Sequence, residues 1–133
     1  MRILRIKNNI VYPDLSYRVC GLCFYVHNKL GRYRNEKQYS DALENVFKEN
    51  GIKCQREKPI PISFKGEKAN RNIPDFIIED KIVLEVKTKP FITKDDYFQL
   101  RRYLVSCNKK LGLIVNFRQR YLYPKRVLNR NKK

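Results

Sequence analysis

The fold of this chain turns on Ile73-Pro74-Asp75-Phe76-Ile77-Ile78-Glu79-Asp80-Lys81-Ile82-Val83-Leu84-Glu85-Val86-Lys87-Thr88. Residues 73–78 and 81–88 read as two strands, joined as a hairpin at Glu79-Asp80. Strand side chains alternate between faces with period two. Ile82, Leu84 and Val86 therefore share one face, which must be core. Glu85 and Lys87 share the other, one pleat apart. With the turn at Glu79-Asp80, Asp75 comes roughly opposite Glu85, so two carboxylates and a lysine converge.

That trio has a chemical use. Two carboxylates a few ångströms apart repel unless a cation or a proton intervenes. A hard divalent ion takes one or two carboxylates, waters and a substrate phosphate, and it can polarise a phosphoryl oxygen. A nearby lysine can orient water or offset developing charge. The plainer reading is a solvated strand face carrying a cross-strand Lys–Glu pair, which is worth little.

Working outward, Leu15, Val19, Leu22, Val26 and Leu30 recur at helical spacing and predict an amphipathic helix over 14–30, ended by Gly31. A second helix is predicted over 36–50, with Asn35 as cap, Gln38 three residues on, and Gly51 as stop. Its stripe of Glu36, Tyr39, Leu43 and Phe47 puts a glutamate on the core-facing side. That placement is costly without a partner, unless the first turn lets the side chain reach water. Prolines 59 and 61 make residues 54–64 an irregular or edge strand, and 65–67 a turn. Thr93-x-x-Asp96 is a capping box opening a helix to about Cys107. On that helix Gln99 and Tyr103 share a face: either they contact a phosphate or water, or they form a polar helix edge. Residues 111–117, Leu-Gly-Leu-Ile-Val-Asn-Phe, have the texture of a buried strand. Residues 121–128 are a candidate last edge strand. Residues 1–12 form a basic lead with an edge-strand candidate at Ile3, Leu4 and Ile6, and 129–133 a basic tail. One domain over 1–133, with its core at 14–128, is the expectation.

The 133 residues include 30 Lys plus Arg and 13 Asp plus Glu, for a net charge of +17 and a pI near 10.0. A chain of this length can bury about two-thirds of its unfolded surface. A hydrophobic fraction of 42% argues against disorder. No apolar run approaches the ~18 residues of a membrane span, and the start is too short and charged for a signal peptide. A basic domain attracts polyanions, above all nucleic acid; an anionic membrane surface or an acidic protein is the alternative. Arg118, Arg120, Lys125 and Arg126 in an acid-free C-terminal stretch, with Arg101 and Arg102 on the third helix, are the candidate phosphate contacts. Cys20-Gly-Leu-Cys23 has the spacing of a zinc half-site or a redox pair. It also reads as a helix face on which free cysteines are small hydrophobes. Cys54, Cys107 and His27 stand apart. Structural thiols in a reducing cytoplasm, without disulfides, are expected.

Pro74-Asp75, a nine-residue gap and Glu85-Val86-Lys87 resemble the PD-(D/E)xK nuclease signature. Glu36 and Gln99-x-x-x-Tyr103 look like the accessory motifs of that superfamily. Residues 26–31, 36–39, 59–64, 99–104 and 111–117 make the chain similar to its small GxxExxY members. Tyr33 stands where their namesake glycine would be. The four cysteines do not match the iron–sulfur arrangement of some relatives. The resemblance implies an α/β fold with a restriction-endonuclease-like core of helix, helix, three strands, helix and strand, in which helices flank a mixed central sheet. It implies hydrolysis of phosphodiester bonds dependent on Mg²⁺ or Mn²⁺. Asp75 and Glu85 would bind metal and Lys87 would position or activate water. Glu36 would be an accessory metal or water ligand, and Gln99 and Tyr103 would steady that network or the backbone of the nucleic acid. DNA is favoured over RNA as substrate, read by backbone and shape. The alternatives are a homodimeric Holliday-junction resolvase and a non-catalytic nucleic-acid-binding module that kept the fold.

Overall fold

The computed structural model describes residues 10–130. The strand candidate at Ile3, Leu4 and Ile6 and the last three residues of the basic tail lie outside them. The chain runs α1 (Pro13–Leu30), α2 (Glu36–Glu49), β1 (Cys54–Arg56), β2 (Phe76–Ile78), β3 (Ile82–Lys87), α3 (Lys94–Cys107), β4 (Leu111–Asn116) and β5 (Lys125–Leu128).

Local chemistry accounts for the helix ends. Pro13 opens α1, where its missing N–H would have had no helical partner. Gly31 closes it at φ 77°, a value that suits glycine, and its N–H donates to the carbonyl of His27 at 2.9 Å. In α2 the Gln38 N–H donates to Asn35 Oδ1 at 2.9 Å, and the Asn35 N–H donates to Gln38 Oε1 at 3.0 Å. The capping box of α3 pairs Thr93 with Asp96 in the same reciprocal way.

The five strands form one mixed sheet in the order β1-β2-β3-β4-β5. β1, β2 and β3 are antiparallel neighbours, β3 and β4 are parallel, and β4 and β5 are antiparallel. A parallel step needs a crossover, and α3 supplies it. Helices α1 and α2 cover one face, where Val19, Cys23, Leu43 and Phe47 meet Phe76, Leu84, Val86 and Val115. On the opposite face Leu100, Tyr103 and Leu104 of α3 pack with Ile77, Val83 and Ile114. The approach of α3 is close: a Cβ on Gly112 would lie 2.6–2.8 Å from the Leu100 side chain.

The hairpin at Glu79-Asp80 forms as expected, with both residues at positive φ (51° and 55°) and the Lys81 N–H donating to Ile78 O at 2.9 Å. Three strand boundaries differ by more than one residue from the sequence reading. β2 begins at Phe76 rather than 73, because Pro74 has no N–H and the Asp75 N–H is taken by a carboxylate of β3. β5 begins at Lys125 rather than 121, since the Tyr123 N–H donates to Gln119 Oε1 and Pro124 has none to offer. Only 54–56 of the stretch 54–64 is strand; Glu57, at φ 53°, turns the chain out of the sheet. Among the described residues no helix is long and apolar enough to cross a membrane.

Candidate active site

Extending the β2–β3 register, in which Phe76 pairs with Leu84, places Asp75 opposite Glu85. Each carboxylate accepts a backbone N–H from the neighbouring strand segment. The Asp75 N–H donates to Glu85 Oε2 at 2.8 Å, and the Val86 N–H donates to Asp75 Oδ2 at 2.7 Å. Glu85 is only 4% exposed and Asp75 is half-buried. Burial pushes the Glu85 carboxyl up to about 8, the Asp75 charge adding to the effect and the Asp75 N–H and Lys87 opposing it. Asp75 is raised too, first by burial, against the pull of the Val86 N–H and with added repulsion from Glu36.

Lys87 lies two residues beyond Glu85 on the same face of β3. Its Nζ donates to Gln99 Oε1 at 3.3 Å and lies 3.8 Å from Asp96 Oδ1. The lysine is thus held from α3 rather than paired with either site carboxylate. Tyr103, one turn after Gln99, is buried; its hydroxyl is pushed up by burial and then by the charges of Glu85 and Asp75. Glu36 sits at the first turn of α2, exposed to solvent, yet near enough for its charge to raise both Asp75 and Glu85. The first turn has let this glutamate reach water, so it carries no burial cost.

The donor set fits a hard divalent cation. Two carboxylates are drawn together in a largely buried place, both are raised, and among the described residues neither forms an ion pair. They are a pair and not a cage: no three His, Cys, Asp or Glu side chains come together as metal ligands among the described residues. Two carboxylates with the remaining positions left to water and phosphate suit Mg²⁺ or Mn²⁺. The CxxC is placed differently. Cys23 is in the α1 core and Cys20 is half-buried, with both thiols raised by burial.

The basic candidates separate into three places. Arg118, Arg120 and Lys125 follow the C-terminal end of β4, beside the site: the Phe117 N–H donates to Lys87 O at 2.8 Å. Arg101 lines a groove of about 490 Å³ between α3 and β5; Arg102 is exposed next to Tyr103. Arg126 also lines the α3–β5 groove, and its guanidinium reaches the α1 face, donating to Ser16 Oγ at 2.9 Å and to Val11 O at 2.8 Å. It ties β5 to α1.

Three residues at the site were not singled out from the sequence. The Thr93-x-x-Asp96 spacing marks Asp96 only as a cap, but its Oδ2 also accepts from Lys89 Nζ at 2.9 Å. Burial alone would raise it, yet the Thr93 N–H, Lys89 and the Thr93 hydroxyl hold its carboxyl below the ordinary range. Buried Asn116 pairs in register with Lys87; it accepts from the Lys89 N–H at 3.1 Å and donates to Lys89 O at 2.7 Å. A lone polar residue in the apolar run 111–117 was its signal. Glu57 adds charge beside Asp75, and its N–H donates to Asp75 O at 3.0 Å; no local pattern marked it.

Comparison with known proteins bears on the family. No curated protein gives a significant match. A family model described as the PD-(D/E)XK nuclease superfamily matches residues 13–129. That span holds every helix and strand of the described residues and every residue of the site described above, and the chain belongs to the PD-(D/E)XK nuclease superfamily.

Proposed function

We propose that this protein is a metal-dependent nuclease that hydrolyses phosphodiester bonds in DNA, gripping backbone and shape rather than reading bases. The observation that carries the reading is the buried Asp75–Glu85 pair, both carboxyls raised, with Lys87 held beside it by Gln99 and Asp96. A protein that only bound nucleic acid would gain nothing from buried carboxylates where phosphates must come. Asp75 and Glu85 would hold Mg²⁺ or Mn²⁺, with Glu36 as an accessory ligand of metal or water. Such an ion, when bound, neutralises phosphate charge and makes water a stronger acid. Lys87 keeps its ammonium at the rim of the pair, positioned to orient the attacking water or to offset charge growing on the phosphate. Gln99 fixes that ammonium, and Tyr103 offers a hydroxyl beside the carboxylates for a phosphate oxygen.

Cleavage of supercoiled plasmid and of branched DNA with Mg²⁺ or Mn²⁺, against EDTA, tests this. Wild type nicks and Lys87→Ala falls to background while keeping its affinity for DNA. If both nick at background and both bind, the protein is a binding module on a nuclease fold. A junction resolvase additionally requires a homodimer, so a monomer in sedimentation argues against that role.

A further inference from the structure

Two loops meet at the end of the sheet that carries the site, and they present an unusual set of side chains. Tyr33 in the α1–α2 loop is 78% exposed, and Tyr121 and Tyr123 in the β4–β5 loop are 77% and 63% exposed. Cations accompany all three rings. Arg32 and Arg118 lie 5.2 and 5.9 Å from the Tyr33 ring centre, Arg120 lies 5.3 Å from Tyr121, and Lys125 lies 4.2 Å from Tyr123. Neither loop, 31–35 or 117–124, contains an acidic residue.

The loops are pinned. Arg32 Nε donates to Arg118 O at 2.9 Å, and Arg118 Nε donates to Arg32 O at 3.1 Å. Tyr39 stacks on Phe117 with ring centres 4.3 Å apart, and its hydroxyl bonds to Gly31 O and accepts from the Arg34 N–H. Gln119 is held at both ends, its carbonyl 2.8 Å from His27 Nε2 and its side chain by the Tyr123 N–H. The tyrosines are therefore displayed on a fixed frame.

We propose that this surface binds unpaired nucleotides, the tyrosines stacking on bases and the arginines holding phosphates. The substrate then carries a single-stranded segment beside the bond to be cut. Charge alone would suit any polyanion. Exposed aromatic faces among cations suit bases whose own faces are free, which a duplex offers only at its ends. This substrate class rests on the nuclease reading, but binding can be measured without cleavage.

The test uses the full chain in EDTA with a short labelled single strand and the matching blunt duplex. Wild type binds the single strand at least about tenfold more tightly, and the combined Tyr33→Leu, Tyr121→Leu, Tyr123→Leu variant loses most of that preference while its duplex affinity changes little. With nine tyrosines and no tryptophan in the chain, wild-type tyrosine emission is quenched by the single strand. Equal affinity for both forms overturns the proposal, as does a parallel loss of both in the variant. So does unchanged binding with a dimer falling apart, which would make the surface a protein contact. Should the combined variant fail to fold, Tyr121→Leu alone and the wild-type quench decide. Preference without cleavage in Mg²⁺ or Mn²⁺ removes the nuclease reading and keeps the surface; cleavage without preference does the reverse.

Discussion

At the scale of single residues, the site depends on groups that hold other groups. Asp96 is the clearest: one carboxylate caps α3, pairs with Lys89 and faces Lys87. Asp96→Asn keeps a capping oxygen but removes the charge that draws Lys87. It should lower the rate of cleavage about 10–100-fold, as supporting partners commonly do, with little change in DNA affinity; an unchanged rate would remove Asp96 from the positioning role. Glu85 makes a prediction about pH. Its folded-state carboxyl is raised by burial and by Asp75 to about 8. Below the ordinary carboxylate range, folded and unfolded chains are both protonated there. As pH climbs toward 8 the unfolded chain gives up the proton first, so the stability due to this group is lost through that window. In EDTA the melting temperature should fall from pH 5 to 9, and Glu85→Gln should flatten the curve. A variant curve as steep as wild type would show that Glu85 is not the group responsible. Asp75, Glu85 and Lys87 were legible from alternation along two short strands. Glu57 was not, because an irregular loop reaches Asp75 through tertiary folding alone.

At the scale of elements, the helix caps were legible because a capping box is a local pattern. Asn35–Gln38 and Thr93–Asp96 both form as read. Strand ends were less legible, because they depend on where individual N–H groups find partners. Pro74 and the Glu85 carboxylate shorten β2, and the Gln119 side chain shortens β5. The contact between α3 and the sheet depends on Gly112. Gly112→Ala sets a methyl within 3 Å of three carbons of the fully buried Leu100 side chain, so that side chain or the backbone of α3 must shift. Overpacking of this kind costs about 1–3 kcal/mol, and denaturant unfolding should show it. Because Leu100 adjoins Gln99, the same change should also weaken cleavage; a stability loss with full activity would mean that α3 shifts without disturbing Lys87.

At the scale of the whole molecule, the +17 charge and the small acidic group have different tasks. Positive charge accumulates in the loops around the site and around the groove between α3 and β5, while the charges of Glu36 and Glu57 act on Asp75, and that of Asp75 on Glu85, at one end of the sheet. Binding to duplex DNA in EDTA should therefore weaken steeply with salt, by roughly 10³-fold or more between 50 and 200 mM if six or more phosphates are contacted. A flat response would mean that the charge does not face the ligand. The order of elements, the helix caps, the inward face of β3 and the convergence of Asp75 with Glu85 are all written into the amino-acid order. Those are consequences of local periodicity and of one tight hairpin. Which helix restrains Lys87, that Glu36 meets water, that Arg126 bonds to α1, and that three tyrosines stand at the site's end of the sheet emerge from the folded arrangement alone. Each of those depends on packing between elements far apart in the chain, where no spacing along the sequence records distance in space.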